Sequence, residues 1–267
     1  MILDNGIYNT VTENKELECG VDVLDKPDCG SDIFQQSENF SVTGNALAVL
    51  DYKNKQKTFG YKSYLFFKRA FDIVFSGLLI LLLSWLYIIL AVAVKVSDGG
   101  RVFFIHSRIG KNGKDIKIAK FRSMKKDAEK LSQSLSKKQL VEYKKEYKLN
   151  QDDDNRITKL GKFLRKTSLD ELPNFFAVFT GKISIVGPRP VLREEAYDKY
   201  GSDVDKFLSV KPGIVGWWAV NGRNNSTYCS GKRQALELYY VDKCSVWFDL
   251  KILLKAVVCV FKRTGAK

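Results

Sequence analysis

Apolar positions in residues 1–50 follow neither a two-residue nor a 3.6-residue period, and acidic and small polar residues fill the stretch. That pattern predicts a poorly ordered or loosely packed extension, with room for one short element at Ala46–Leu50. Lys53–Arg69 then interleaves Phe59, Tyr61, Tyr64, Phe66 and Phe67 with lysines. The next segment, Ile73–Val94, runs 22 residues without a charge. Beyond it the pattern shortens. Val102–Ile105 and Asp115–Phe121 read as two strands of a hairpin around Arg108–Gly113. Lys125–Leu149 reads as a solvated helical arm, Asn174–Thr180 as an amphipathic helix closed by Gly181, and Ile183–Val186 as a short strand. Leu236–Arg263 is largely helical in pattern, with a face suited to a membrane surface or to a core.

A straight helix over Ile73–Val94 would be ~33 Å long, about one hydrocarbon core. The run lies too far along the chain, and is too long, for a signal peptide. Its flanks are both basic: Lys68 and Arg69 on one side, Lys95, Arg101, Arg108, Lys111 and Lys114 on the other. The positive-inside rule therefore selects no direction. Two readings stay open. The helix spans straight, or it re-enters the same face with a bend at Ser84-Trp85, each half reaching ~16 Å.

Charge sharpens the picture. Residues 1–50 hold nine Asp/Glu against two Lys, so a chain of net charge +14 carries +21 over residues 51–267. Such a balance points to phosphates, whether of nucleic acid, lipid headgroups or nucleotides. Cys19, Cys29, Cys229, Cys244 and Cys259 form no CxxC pair, and His106 is the single histidine. That excludes the usual zinc sites and a dense disulfide framework.

The densest chemistry sits in Arg165–Pro173, where Asp170 and Glu171 follow the basic pair Arg165-Lys166. Adjacent carboxylates in a partly dry site need a compensating cation, such as a divalent metal or a guanidinium. Ser168-x-x-Glu171 also spells a capping box, the competing structural reading. Asp152–Asp154 offers a magnesium site or a plain exposed loop. Downstream, Pro188 and Pro190 restrict the loop around Arg189, and Lys211-Pro212-Gly213 and Asn221–Asn224 place Lys211 and Arg223 in comparable settings.

From about Phe67 to Lys267 these stretches resemble the bacterial sugar transferase family, the monotopic phosphoglycosyl transferases that begin glycan assembly on polyprenyl phosphate. The resemblance is carried by KRAFDIVFSG (Lys68–Gly77), RIGKNGK (Arg108–Lys114), KFRSM (Lys120–Met124), RITKLGKFLRKTSLDELPN (Arg156–Asn174), SIVGPRPVL (Ser184–Leu192), KPGIVGW (Lys211–Trp217) and NGRN (Asn221–Asn224), in family order. It implies transfer of a sugar phosphate from a nucleotide sugar to polyprenyl phosphate, with release of UMP. It also implies that Asp170 is the nucleophile, that Glu171 with Asp170 holds magnesium (Mg2+), and that Arg165 meets the lipid phosphate. Arg189, Lys211 and Arg223 are then expected on the nucleotide or sugar phosphate. Two departures stand out. Ser84-Trp85 replaces the family's usual Ser-Pro, and residues 1–66 have no counterpart in its smallest members.

The expected architecture is α+β and membrane-associated. An extension (residues 1–66) precedes one re-entrant or single-pass helix (67–97) and a small mixed catalytic domain (98–267) with surface amphipathic helices. The expected setting is the bacterial inner membrane with the catalytic domain facing the cytoplasm. Lipids, the two substrates and downstream glycosyltransferases are the expected partners, and nucleic acid is not. The competing function is a membrane-tethered basic module binding nucleic acid or anionic lipid.

Overall fold

The computed structural model describes residues 58–126, 128, 137–147, 154, 156–222 and 226–261. Ala46–Leu50, Cys19, Cys29, Asp152, Asp153, Arg223 and Asn224 lie outside the described residues. What is described mixes helix and sheet and is mostly helical.

The long apolar run is divided between two helices, α1 (Phe59–Leu82) and α2 (Ser84–Asp98), bent by 63° at Leu83. This corrects the straight-helix reading. Among the described residues no single helix is long and apolar enough to cross a membrane, and the bent pair meets that test only together. Backbone bonding persists across the bend. Leu83 N–H donates to the Leu79 carbonyl at 2.9 Å, and Tyr87 N–H to the Leu83 carbonyl at 3.0 Å. The direction α2 takes is set by packing: Leu90 and Val94 bury against Phe121 and Leu164. Tyr87 adds a hydroxyl hydrogen bond to the Leu172 carbonyl at 2.7 Å. Gly99, left-handed at φ 68°, ends α2.

Strands β1 (Phe103–Ile109) and β2 (Asp115–Phe121) form the expected antiparallel hairpin, in a register pairing His106 with Ile118 and Phe104 with Lys120. β1 runs further than the apolar pattern predicts, because Ile109 is buried and its N–H bonds the Val191 carbonyl at 3.0 Å. Part of the charged arm is α3 (Lys137–Glu146). Helix α4 (Lys159–Thr167) is capped by Thr158, whose hydroxyl accepts from Gly161 N–H at 2.8 Å. A Cβ on Gly161 would fall 1.9 Å from the Ser123 carbonyl oxygen, so the close approach of α4 to the end of the hairpin requires glycine. After α5 (Asn174–Phe179) comes β3 (Ser184–Val186), which pairs in parallel with β4 (Gly213–Val215). Between these strands lie α6 (Arg193–Tyr200) and α7 (Val204–Phe207). The chain continues through α8 (Trp217–Asn221), α9 (Lys232–Lys243) and α10 (Val246–Phe261).

One face of α1 is polar and buried on the domain, an arrangement its apolar composition hides. Asp72 accepts from Ser184 Oγ at 3.1 Å and from Ile185 N–H at 3.0 Å, tying α1 to β3. Arg69 donates to the Val178 and Phe179 carbonyls, both at 2.7 Å, and so caps the C-terminus of α5. Lys68 pairs with Asp249 on α10 at 2.5 Å, and the Tyr64 and Tyr240 hydroxyls also donate to that carboxylate. The other faces of α1 and α2 expose Phe66, Phe67, Val74, Leu81, Trp85, Ile88 and Val92. α10 divides similarly, burying Ile252 in the core and exposing Trp247, Leu250 and Leu254.

Candidate active site

Helix α4 stops at Ser168, which adopts the left-handed conformation (φ 57°, ψ 18°) as its C-cap. The next three residues, Leu169–Glu171, make one 3₁₀ turn, and Pro173 then leads into α5. The capping-box reading is therefore corrected: Ser168 closes the helix before the carboxylates and makes no side-chain cap to the turn after it. The 3₁₀ turn places Asp170 inward, with 8% of its surface exposed. Glu171 stays more open and is met by Lys120 Nζ at 2.6 Å.

Lys120 comes from β2, and the register puts it on the hairpin face that also carries His106 and Arg108, paired with Ile118 and Ile116. Arg165, in the last turn of α4, is aimed by a 2.8 Å hydrogen bond from Nε to Ser123 Oγ. Burial raises the Asp170 carboxyl above the usual carboxylate range and Glu171 pushes the same way, while Lys120 and Arg165 pull it down. His106 is driven down to about 3, chiefly by burial and then by Arg108, Lys120 and Arg189, with Glu171 opposing. At neutral pH its imidazole is therefore uncharged, a hydrogen-bonding group rather than a cation. Arg189 thus belongs to the same field as the hairpin cations and the dyad.

A buried network lies beneath the Arg189 loop. Arg189 N–H donates to Glu237 Oε1 at 3.3 Å. Glu237 is completely buried and its Oε2 has no hydrogen-bond partner among the described residues. Burial raises this carboxyl to about 7, against the pull of Arg233 and Arg189. Arg233 lies between the rings of Trp218 and Tyr228, 4.4 and 3.9 Å from their centroids, and pairs with Glu195 at 3.3 Å.

The structure therefore gathers Asp170, Glu171, Arg165 and Arg189, and adds Lys120, His106, Arg108 and Ser123. Lys211 is placed elsewhere, in a cavity with Lys68, Arg69 and Lys111. Arg223 lies outside the described residues. Asp154 is held by Arg156, whose Nε and Nη2 both donate to it at 2.8 Å, so this carboxylate serves an internal ion pair.

The family described as bacterial sugar transferase matches residues 63–263. The chain belongs to the bacterial sugar transferase family. It is 43% identical over 204 residues to UDP-glucose:undecaprenyl-phosphate glucose-1-phosphate transferase of Escherichia coli K12, covering 74% of this chain and 41% of that protein. It is 40% identical over 214 residues to undecaprenyl-phosphate galactose phosphotransferase of Salmonella typhimurium, covering 79% and 44%. To exopolysaccharide production protein ExoY of Sinorhizobium fredii it is 38% identical over 201 residues, covering 74% and 87%. The chain thus spans less than half of the first two relatives and most of the third.

Within this member of the family, Lys120, His106 and Glu237 escape a reading of the sequence for different reasons. Lys120 is one cation among many until the hairpin register places it on Glu171. His106 has no neighbouring ligand residue to flag it. Glu237 sits in an ordinary helical pattern, and only its complete burial distinguishes it.

Glu237 supplies a test of the network. Its ordinary value is 4.5 and its buried value about 7, so the native state holds the proton more tightly than the unfolded chain. That contribution to stability is fully present below the unfolded value and is lost as pH rises through the folded one. The melting temperature of the wild type should fall between about pH 5 and about pH 8 relative to that of Glu237→Gln, which cannot ionise. Parallel pH profiles for the two proteins would contradict the assignment.

Proposed function

We propose that this chain transfers a sugar phosphate from a UDP-hexose to polyprenyl phosphate, releasing UMP and starting glycan or exopolysaccharide assembly. The observation that carries the reading is the buried Asp170 beside Glu171, faced by Lys120 and Arg165. The printed names of the relatives, a UDP-glucose and a galactose undecaprenyl-phosphate transferase, support the substrate pair.

In the first half-reaction an Asp170 oxygen attacks the phosphorus that bears the sugar. The new O–P bond forms as the bond to the bridging oxygen breaks, and UMP leaves with that electron pair. In the second, a phosphate oxygen of the lipid attacks the same phosphorus and the Asp170 carboxylate is released. Arg165, held in place by Ser123, presents a guanidinium to the incoming lipid phosphate. Arg189 steadies the nucleotide phosphates, and neutral His106 adds hydrogen bonding without further charge. Lys120 offsets charge on Glu171 before substrate enters.

Magnesium fits this donor set in a restricted way. Among the described residues no group of three or more His, Cys, Asp or Glu side chains forms a metal cage. Asp170 and Glu171 can instead offer carboxylates to an ion that takes its other ligands from diphosphate and water. Bound there, it would neutralise charge on the diphosphate and favour the ionised carboxylate of Asp170.

The bent α1–α2 pair, with its exposed Phe66, Phe67, Val74, Leu81, Trp85, Ile88 and Val92, supports a helix that enters the inner membrane and returns to the cytoplasmic face. Substrate phosphates and catalytic domain then share one side, where downstream glycosyltransferases receive the lipid-linked product.

Asp170→Asn keeps shape and removes the nucleophile. UMP release from a UDP-sugar, assayed with magnesium and polyprenyl phosphate, should fall at least ~10³-fold. Turnover close to wild type would exclude the covalent route. For topology, single-cysteine reporters near Lys57 and near Lys111 should share the same fate in intact cells, both protected from an impermeant thiol reagent. Labelling near Lys57 alone would mean a spanning helix.

A further inference from the structure

A cavity of about 140 Å³ lies beside the first half of α1, and Tyr61, Tyr64, Lys68, Arg69, Lys111 and Lys211 are among the residues that line it. Most of its charges are already spoken for. Lys68 is paired with Asp249, Arg69 is bonded to two carbonyls of α5, and Asp72 accepts from Ser184 and Ile185. Two cations remain. Lys111 enters from the hairpin turn and Lys211 from the residue before Pro212-Gly213. Among the described residues neither ammonium has a carboxylate within ion-pair distance, yet both side chains are half-buried.

Burial works against the charged form of both lysines, and Arg69, Lys111 and Lys68 add repulsion at Lys211, relieved in part by Asp72. Half-desolvated like charges facing one cavity are unfavourable alone and become favourable once an anion sits between them. The loop that carries Lys211 is held against the Gly187-Pro188 loop. Gly213 N–H donates to the Pro188 carbonyl at 2.8 Å, and a Cβ on Gly213 would lie 2.1 Å from Gly187 N.

This cavity is separate from the dyad. Its lining includes none of Asp170, Glu171, Lys120 and Arg165. Along the hairpin, the five-residue step from the Ile109–Asp115 pair to the Phe104–Lys120 pair corresponds to ~17 Å.

We propose that this cavity is a second anion site, binding one phosphate mono- or diester between Lys111 and Lys211. The proposal stands apart from the transfer reaction, because it uses no group of the dyad pocket. Two sources present that chemistry. One is the headgroup of an anionic phospholipid, which the position of Lys68 and Arg69 between the exposed Phe66, Phe67 and Phe71 of α1 favours. The other is a free phosphate group in solution.

Lysine acylation of the full chain in detergent, read residue by residue by mass spectrometry, separates these outcomes without any variant. Phosphatidylglycerol should slow acylation of Lys111 and Lys211 at least ~3-fold relative to exposed Lys162, whereas phosphatidylcholine should not. Equal protection by inorganic phosphate alone would support the anion site and assign it to free phosphate groups. No protection by phosphatidylglycerol or phosphate, or equal protection by phosphatidylcholine, would overturn it. As a second reading, Lys111→Gln combined with Lys211→Gln should abolish retention of phosphatidylglycerol in native mass spectra. Lys111→Arg with Lys211→Arg should keep it.

Discussion

Two neighbouring carboxylates held in a partly buried turn are the constraint around which this domain is arranged. Burial raises the Asp170 carboxyl above the usual carboxylate range, and Glu171 beside it adds repulsion. The fold answers from two directions: Lys120 arrives from the hairpin and Arg165 from the last turn of α4, while Arg189, on the loop after β3, acts on the neighbouring His106. None of these positions is independent. Gly161 lets α4 lie on Ser123, and Ser123 in turn aims Arg165. Glu237 supports the backbone at Arg189 from below. A shift in the hairpin register by one residue would turn Lys120 away from the dyad and expose Ile118.

The second constraint is attachment of an apolar helix to the polar layer that carries the dyad. Exposed apolar side chains give α1 no directional hold, so the attachment is made by a buried polar stripe of Tyr64, Lys68, Arg69 and Asp72 at helical spacing. These bonds reach β3, α5 and α10, the elements that flank the site. Past Leu83, α2 returns over Phe121 and Leu164, and Tyr87 bonds the Leu172 carbonyl immediately after the dyad. The second helix of the bent pair is thus tied to the turn that carries Asp170.

Much of this was legible in the residues. The hairpin, the strand at Ile183–Val186 and the helix after the dyad carry strong local patterns, and the structure has them with small shifts of boundary. The dyad and its Arg165 and Arg189 partners were legible as chemistry. What could not be read depends on contacts distant in sequence. β4 is three residues long and bounded by glycine, so it has no period of its own and exists only through pairing with β3. Ser168 spells a helix start, yet the packing of α4 makes it a helix end. The bend was legible only as one of two readings, at Ser84-Trp85; the structure places it at Leu83, with α2 burying Leu90 and Val94 beyond it. Lys211 sits in a loop adjacent to that of Arg189 through the β3–β4 pairing, but its side chain joins a different cavity.

The central claim is that Asp170 itself becomes phosphorylated by sugar phosphate. It is tested most directly by mixing the protein with a UDP-sugar and magnesium in the absence of lipid acceptor, quenching in acid, and mapping the added mass by peptide mass spectrometry. The account predicts one hexose-phosphate adduct on the peptide containing Asp170, discharged when polyprenyl phosphate is added before the quench. Lipid-linked product formed at full rate with no adduct at any stage, or an adduct mapped to a different carboxylate, would contradict it.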